Sequence, residues 1–406
     1  MLLSIYHFLW SLLGAVIFGF PSNRIFVLGV IGTKGKSTVL ELINAILEMA
    51  GKKTALLSSI RIKIGEQSRK NYSGNTMPGR AFIQGFLRQA VKSGCEYALV
   101  EVTSQGVLQH RHRFIKWDAA LFTNLAPEHI EAHGSFEKYR EAKLGFFRYV
   151  RNFKSQILNL KSQKLFFVNQ DDSSNQYFID VAKNRNSKIV LFSKSLPNSK
   201  FQILNSIFPE NIAAAVAFAE SRGIEEGIIK EAIDNFSGVP GRMEIIQKKP
   251  FTVIIDYAHT PDSLEKTYQA ILNSKFHIPN SKLICLLGGA GGGRDKWKRP
   301  KMGEIAGKYC DEIILTNEDP YDEDPLQIIK EIEKGFLQIP NSYYKILDRQ
   351  EAISKAISLA KEGDIVIITG KGCEPWLHFE KGKKIPWDER KTVEEIIKKQ
   401  SIDILK

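Results

Sequence analysis

The run Gly32-Thr33-Lys34-Gly35-Lys36-Ser37-Thr38 sets two glycines, two ammonium groups and an adjacent pair of hydroxyls within seven residues. That combination suits a polyphosphate. Glycines let successive backbone N–H groups turn towards one anion, and a helix starting behind them adds the positive end of its dipole. Lys36 can neutralise charge on the β- and γ-phosphates, and the hydroxyl of Ser37 or Thr38 can ligate magnesium. The ligand expected from this chemistry is ATP with magnesium. The general pattern G-x-x-x-x-G-K-[ST] would place its first glycine at position 30, where Val30 stands, and the nearest glycine is Gly29. The alternative, a glycine-rich turn that binds nothing, is disfavoured by the order of strand, loop and Lys-Ser-Thr.

Such a loop needs a strand before it and a helix after it. The apolar run Ile25 to Ile31 precedes it, and Val39 to Met49 has helical periodicity behind it. Strand-like and amphipathic helical stretches alternate along the whole chain, which predicts an α/β protein with parallel sheets covered by helices on both faces. Strands are expected at Ile25–Ile31, Lys53–Ser58, Tyr97–Val102, Ala119–Thr123, Leu165–Val168 and Ile189–Phe192, with helices Arg80–Ser93 and Phe136–Arg151 among them. The loop Ser237-Gly238-Val239-Pro240-Gly241 breaks the pattern before a second set, Phe251–Asp256, Leu283–Leu287, Glu312–Thr316 and Ile365–Thr369. The expected organisation is an apolar segment 1–24, a first domain 25–238 and a second domain 239–406.

A length of 406 residues suits two domains of ordinary size. Cys95, Cys285, Cys310 and Cys373 form no C-x-x-C pair, which predicts neither a disulfide framework nor a zinc ribbon and fits a reduced, cytoplasmic setting. The formal charge of +12 favours anionic small molecules carrying phosphates and carboxylates as partners, rather than nucleic acid. Residues 2–20 form an uncharged apolar run containing Tyr6 and Trp10. It is either a membrane anchor, with Arg24 and the residues beyond it at the inner face of the membrane, or a helix that packs on the first domain or supports a dimer. A secretory signal is not expected, because no basic leading region or small-residue cleavage site is present.

Tyr97-Ala98-Leu99-Val100 delivers Glu101 to the C-terminal edge of the sheet, where a magnesium-binding carboxylate is needed. His129 and Lys143 are less obvious partners, since histidine is an uncommon magnesium ligand and an ammonium cannot be one. Together with the phosphate loop, these residues resemble the Mur ligase family, and within it the MurE type, along motifs running from Gly32 to Arg390. The family loop, G-T-x-G-K-[ST]-[ST], needs no glycine at position 30. The resemblance implies a P-loop ATPase central domain with a mostly parallel sheet and a Rossmann-like α/β C-terminal domain. It implies ATP contacts from Gly32, Thr33, Lys34, Gly35, Lys36, Ser37, Thr38, Asn211, Arg242, Asp256 and His259. It further implies magnesium held by Ser37, Glu101, His129 and a carbamylated Lys143, with catalytic roles for Lys36, His129, Lys143 and Arg242. Carbamylation requires the neutral amine, so Lys143 should sit where burial or neighbouring charge makes that form accessible.

The segments Asn75-Thr76-Met77-Pro78 and Thr103 to Arg111 resemble those that hold the muramyl dipeptide in this family. By that likeness Asn75, Thr76, Thr103, Gln109 and Arg111 contact the acceptor, and Arg111 is suited to a bidentate anion contact. Gln105 stands where the family usually has His. In the second domain the run Gly288 to Lys296 fails G-x-G-x-x-G, because Arg294 falls on the third glycine, so a dinucleotide site is not expected. The family's G-D-R-D-K-x-K-R-P segment instead makes Arg294 the grip on the incoming amino acid's carboxylate. Gly370-Lys371-Gly372-Cys373-Glu374 resembles G-K-G-H-E, which makes Gly370 and Glu374 further amino-acid contacts. Diaminopimelate-using relatives carry D-N-P-R where this chain has Glu318-Asp319-Pro320-Tyr321. Tyr321 cannot form the arginine's charged fork, while Glu318 and Asp319 suit a cationic side chain, pointing to lysine or another diamino acid.

Family members also carry an N-terminal domain for the UDP moiety, whereas the phosphate loop here begins at Gly32, so the acceptor is expected to be a UDP-linked or a lipid-linked muramyl peptide. The resulting expectation is an ATP-dependent amide-bond ligase that adds an amino acid, the third stem residue, to a muramyl-peptide carboxylate through an acyl phosphate in peptidoglycan precursor synthesis. The alternatives are a MurT-like or folylpolyglutamate-synthase-like ligase acting on another carboxylate, and a non-catalytic P-loop scaffold. The first lacks its four-cysteine ribbon here, and the scaffold has no need of Glu101, His129 and Lys143. The sequence does not specify an oligomeric state. Lys36→Ala is expected to abolish ATP-dependent turnover; ADP formation at the wild-type rate would refute the phosphate-binding role of this side chain.

Overall fold

A computed structural model describes residues 2–79, 81–128, 130–153, 163–195, 209–274, 278–336 and 342–404. The chain divides into two compact units, Met1–Pro127 with His133–Ser237, and Glu128–Ala132 with Gly238–Lys406.

The first unit is built on an eight-stranded sheet of β1 (Phe26–Ile31), β2 (Thr54–Leu57), β3 (Arg61–Ile64), β4 (Gln67–Lys70), β5 (Tyr97–Val102), β6 (Ala119–Phe122), β7 (Lys164–Asn169) and β8 (Ser187–Phe192), in the order β4-β3-β2-β5-β1-β6-β7-β8. The pairs from β2 through β8 are parallel. Both faces are covered, which is why these strands read as nearly unbroken apolar runs. One face packs Trp117, Phe122, Phe146, Phe147, Phe166 and Phe178 into a single core. The other packs Leu28, Val30 and Leu99 under α2 (Lys36–Met49) and the alanine-rich helix Pro209–Ser221. The hairpin β3–β4 pairs antiparallel and extends the sheet beyond the strands expected from sequence. Its strands are four residues each and partly polar, and the turn between them uses Gly65 in the left-handed region, φ 58°.

Four further helices matter for the site: α1 (Leu2–Ile17) before the sheet, then α3 (Phe82–Lys92), α4 (Ser104–Leu108) and, after the one-turn α5 (Ile130–His133), α6 (Phe136–Asn152). Helix α1 packs on the first unit, with Gly14 so close to α3's N-cap that an added Cβ would lie 2.4 Å from the Ala81 Cβ. Among the described residues no helix is long and apolar enough to cross a membrane, which corrects the spanning-anchor alternative for residues 2–20.

The second unit carries a six-stranded sheet of β9 (Glu244–Gln247), β10 (Thr252–Ile255), β11 (Leu283–Leu287), β12 (Glu312–Leu315), β13 (Ser342–Lys345) and β14 (Ile365–Ile368), ordered β13-β12-β11-β14-β10-β9. Only β9 pairs antiparallel. A two-stranded ribbon, β15 (Trp376–His378) with β16 (Lys384–Pro386), completes it. The mixed α/β architecture agrees with the sequence expectation.

Gly29, the glycine nearest to the position the general phosphate-loop pattern would fill, lies inside β1. A Cβ there would fall 2.4 Å from Phe146 Cζ and 3.0 Å from Trp117. It is a packing glycine, and its lack of a side chain is what admits the Phe146–Trp117 edge-to-face pair, whose centroids are 5.0 Å apart. Gly29→Ala should cost about 1–3 kcal/mol through overpacking, read as a lower thermal midpoint; an unchanged midpoint would mean that the Phe146 ring yields.

Candidate active site

Strand β1 ends at Ile31 and α2 begins at Lys36, so the phosphate loop lies at the C-terminal edge of the parallel strands, where open α/β sheets bind ligands. Gly35 caps the helix in the left-handed region, φ 80°. A Cβ on Gly35 would lie 2.2 Å from Asn211 Oδ1, so glycine is required and Asn211 is placed against the loop. The loop is held by the segment after β6. Thr33 N donates to the Asn124 carbonyl at 2.9 Å, Lys34 N to Asn124 Oδ1 at 2.8 Å, and Thr123 Oγ1 to the Lys34 carbonyl at 2.7 Å. The first-turn N–H groups of any helix lack intrahelical acceptors, so the start of α2 presents donors and dipole to an anion.

The parallel register aligns Val30 with Glu101, which brings that carboxylate to the same edge as the loop. Glu101 Oε2 accepts from Ser37 Oγ and from Ser59 N, both at 2.9 Å, and Lys36 Nζ lies 3.9 Å from Oε1 while donating to the Thr33 carbonyl at 2.9 Å. Ser59, just beyond β2, also meets Ser37 hydroxyl to hydroxyl at 3.1 Å. No sequence signal marked it. Thr38 is half-buried in the first turn of α2. Lys143 is buried, its Nζ donating to the Gly32 carbonyl at 2.6 Å and lying over the Tyr139 ring at 4.4 Å. The structure therefore brings Lys143 to the first residue of the phosphate loop. His133 Nε2 is 3.1 Å from Ser104 Oγ, and burial together with the Lys143 charge keeps this imidazole below its ordinary pKa. His129 lies outside the described residues.

Ser37 and Glu101 are the hard oxygen donors that magnesium takes. Lys143 as an ammonium has no lone pair to offer, so it fits that metal only once carbamylated. Among the described residues there is no group of three or more His, Cys, Asp and Glu side chains that could hold a metal.

The residues expected to hold the acceptor are linked through Met77. Thr103 N donates to Met77 Sδ at 3.4 Å and the Arg111 guanidinium donates to the Met77 carbonyl. Asn75, exposed, accepts at its carbonyl from Asn71 Nδ2 at 3.2 Å, and Thr76 stands half-buried beside it. Thr103 caps α4 by accepting from Gly106 N at 3.0 Å. Gln109 Oε1 and Arg111 Nε are buried without a hydrogen-bond partner among the described residues, and both side chains line one narrow recess with Pro78 and Gly79. Burial lowers the Arg111 pKa. Gln105, the position that departs from the family, is exposed on α4.

In the second unit two of the expected amino-acid residues, Asp319 and Glu374, gather around one buried ammonium. Lys371 Nζ donates to Asp319 Oδ2 at 2.8 Å and to Glu374 Oε2 at 2.7 Å. Asp319 also accepts from His378 N at 2.9 Å, and Glu374 from Tyr257 OH at 2.6 Å. Burial pulls the lysine down, but the two carboxylates outweigh it and hold its pKa above the ordinary value. Lys371 is thus the organiser of the motif, while the sequence reading singled out its neighbours Gly370 and Glu374. Glu318 is different: buried, its Oε2 lacks a hydrogen-bond partner among the described residues, and burial with the neighbouring Asp319 pushes its carboxyl up to about 7 against the pull of Lys371. A Cβ at Gly370 would come within 2.6 Å of that oxygen. Arg294 is exposed, with Nη2 3.5 Å from the hydroxyl of Tyr321, whose ring stacks on His378.

The three expected nucleotide contacts of this unit have local partners as well. Asp256 is buried and accepts from Met243 N and Ala258 N, each at 2.8 Å, which fixes the Gly241–Met243 turn. Arg242 stacks over the Tyr257 ring at 4.0 Å. His259 Nε2 lies 3.3 Å from Glu128 Oε1.

Comparison with known proteins follows the same division. Residues 30–218 match the Mur ligase middle domain and residues 241–372 the Mur ligase glutamate ligase domain. The chain is 37% identical to the UDP-N-acetylmuramoyl-L-alanyl-D-glutamate--2,6-diaminopimelate ligase of Syntrophomonas wolfei, covering 96% of this chain and 81% of the relative. It is 33% identical to the UDP-N-acetylmuramyl-tripeptide synthetase of a Roseiflexus species, covering 93% of this chain and 79% of the relative. A solved diaminopimelate ligase of the first kind superposes with a TM-score of 0.59 at 26% identity, over 93% of this chain and 79% of that one. Mycobacterium tuberculosis folylpolyglutamate synthase, solved with ADP and AMPPCP, reaches a TM-score of 0.69 at 14% identity, over 89% of this chain and 92% of that one, a likeness of fold alone. A phosphate loop with its Ser37–Glu101 pair in one unit, and a carboxylate and ammonium network in the next, matched in order by both domain models, make this chain a member of the Mur ligase family, the ATP-dependent amino-acid ligases of peptidoglycan precursor synthesis.

Proposed function

We propose that this ligase is of the MurE type and joins a diamino acid to the terminal carboxylate of a muramyl dipeptide, the carboxylate being activated as an acyl phosphate by ATP. The observation that carries the nucleotide half is the cluster of Lys36, Ser37 and Glu101 at the N-terminus of α2. Lys36 and the helix N-terminus would hold and neutralise the transferred phosphoryl group, which is the electrostatic work phosphoryl transfer requires. Ser37 and Glu101, with His129 and a carbamylated Lys143, would hold magnesium, which supplies charge neutralisation between ATP and the acceptor carboxylate. The position of Lys143 supports that role, because its buried Nζ lies at the first residue of the phosphate loop. Asn75, Thr76, Thr103, Gln109 and Arg111 would orient the acceptor, Arg111 through charge-assisted bonds. Asn211, Arg242, Asp256 and His259 would complete the nucleotide contacts or hold the segments that make them.

For the amino acid, Arg294 offers the exposed cation for its carboxylate. Gly370, Asp319 and Glu374 form the floor around Lys371, and Glu318 is the carboxylate left to receive an ammonium. Both lysine and 2,6-diaminopimelate present such a group. The naming of the relatives supports the second, and Tyr321 in place of an arginine supports the first.

Phosphate release is expected only when ATP, a muramyl dipeptide and one of the two diamino acids are all present. The arm that responds assigns the amino acid. The same assay in bicarbonate-depleted buffer should lose activity and recover it on adding bicarbonate; release that is independent of acceptor would overturn the ligase assignment, and indifference to bicarbonate would overturn carbamylation.

The Glu318 carboxyl, at about 7, sets a pH dependence. Below that value it is protonated and offers an ammonium little, so the amino-acid KM should fall as pH rises through about 7, and Glu318→Gln should flatten that profile. The sign for stability is opposite: from the ordinary carboxyl value of about 4.3 up to about 7 the folded state binds the extra proton, so this group's contribution declines as pH rises. A pH-dependent KM that persists unchanged in Glu318→Gln would remove Glu318 from the amino-acid site.

A further inference from the structure

Helix α1 has two unlike faces and contains no Asp, Glu, Lys or Arg. Its inner face is fastened to the first unit. Ser4 Oγ meets His110 Nε2 at 2.8 Å, Ser11 Oγ donates to the His110 carbonyl at 2.9 Å, Phe8 packs edge-on against Phe114, and Gly14 lies against Ala81. Its outer face carries Leu3, Tyr6, Leu9, Leu13, Val16 and Ile17, each between 41% and 75% exposed. These recur at three- and four-residue spacing, so they form one stripe on a helix whose other side is already occupied. Leaving such a stripe in water forgoes burial of several large side chains at once.

The apolar surface continues past the end of α1 into a groove of about 710 Å³, where Ile17 and Phe18 face Ile62, Ile64, Phe82 and Phe86, with Arg69 among the polar lining. The elements around it are rich in cations. Helix α3 carries Arg88 and Lys92 and β4 carries Arg69 and Lys70, and neither contains Asp or Glu; the segment Gln109–Lys116 adds Arg113, while its Lys116 is paired with Asp118 at 3.0 Å and its Arg111 is turned to the Met77 carbonyl.

From these observations we infer that α1 and its basic surround are a docking surface for the anionic face of a phospholipid bilayer, with the helix lying in the plane of the interface. Sixteen residues at 1.5 Å each give about 24 Å, short of the roughly 30 Å apolar core of a bilayer, so the helix lies on the membrane rather than through it. Tyr6 and Trp10 supply the amphipathic rings that settle at the headgroup level, and the arginines and lysines supply attraction to anionic lipid. A second copy of this chain is the poorer occupant, because pairing two such faces would bring the two basic surrounds together. His7 and Ser11 of the same helix line the narrow recess that holds Gln109 and Arg111. Docking here therefore sets the expected acceptor residues beside the membrane. The inference stands on the helix and its charges and does not depend on which amino acid is added.

The test is flotation of the full chain with vesicles of phosphatidylcholine alone and of phosphatidylcholine mixed equally with phosphatidylglycerol. Partitioning should be at least about tenfold stronger on the anionic vesicles and should weaken as salt is raised. Leu9→Ser/Leu13→Ser should lose that partitioning with an unchanged thermal midpoint, since both side chains are exposed. Arg69→Ser/Lys92→Ser should reduce binding to the anionic vesicles alone. Failure of the wild-type chain to float above the zwitterionic level would overturn the inference, as would a dimer in sedimentation equilibrium that Leu9→Ser/Leu13→Ser dissolves.

Discussion

A carboxylate buried at the end of a parallel strand is tolerable only when donors meet it, and at Glu101 those donors belong to the phosphate loop and to Ser59, two residues beyond β2. The parallel register of β1 with β5 makes this possible, because two parallel strands deliver their following loops to the same edge. Ser37 and Ser59 satisfy one oxygen, and the Lys36 ammonium stands near the other. The shape of the loop, the start of α2 and the placing of β2 are thereby coupled to a single side chain. Bonds from Thr123 and Asn124 fix the loop from β6 in the same way, so the ends of β1, β2, β5 and β6 together determine where an anion would be held.

The second unit solves a related problem with the opposite sign. Lys371 is buried, and a lone buried ammonium would be prohibitively costly, so Asp319 and Glu374 both pair with it and are each held by a further donor. That arrangement consumes two of the three neighbouring carboxylates. Glu318 is left with an oxygen lacking a partner among the described residues, and burial then raises its pKa. A carboxyl near neutrality, beside two carboxylates already committed to Lys371, is a place where an incoming cation would meet unmet demand. Arg349 shows the contrasting, purely structural case, its guanidinium paired with Glu389 and bonded to the Thr369 carbonyl.

Helix α1 illustrates how one apolar segment can satisfy two environments. Its serines, its glycine and Phe8 serve the protein side, where close approach and specific hydrogen bonds matter. Its leucines serve the outside, where only apolar area matters. Hydropathy averaged along the segment merges these faces, which is why membrane anchor and packing helix remain equivalent readings until the helix is seen on its support.

Local pattern determined much of this protein. The strands Tyr97–Val102 and Leu283–Leu287 have the limits their apolar runs indicate, and the phosphate loop and Glu101 were legible because a strand, a turn and a helix start are encoded by residues adjacent in the chain. The hairpin β3–β4 and the edge strands β9 and β13 were not, since short, half-polar edge strands have little periodicity and are defined by the neighbour they pair with. Ser59 as a partner of Glu101, Gly29 as room for Phe146, Asp256 as the clasp of the Gly241–Met243 turn and the raised pKa of Glu318 were decided by the tertiary structure alone. Each depends on which groups from distant parts of the chain share one volume, and hydrogen bonding and desolvation act through space rather than along sequence.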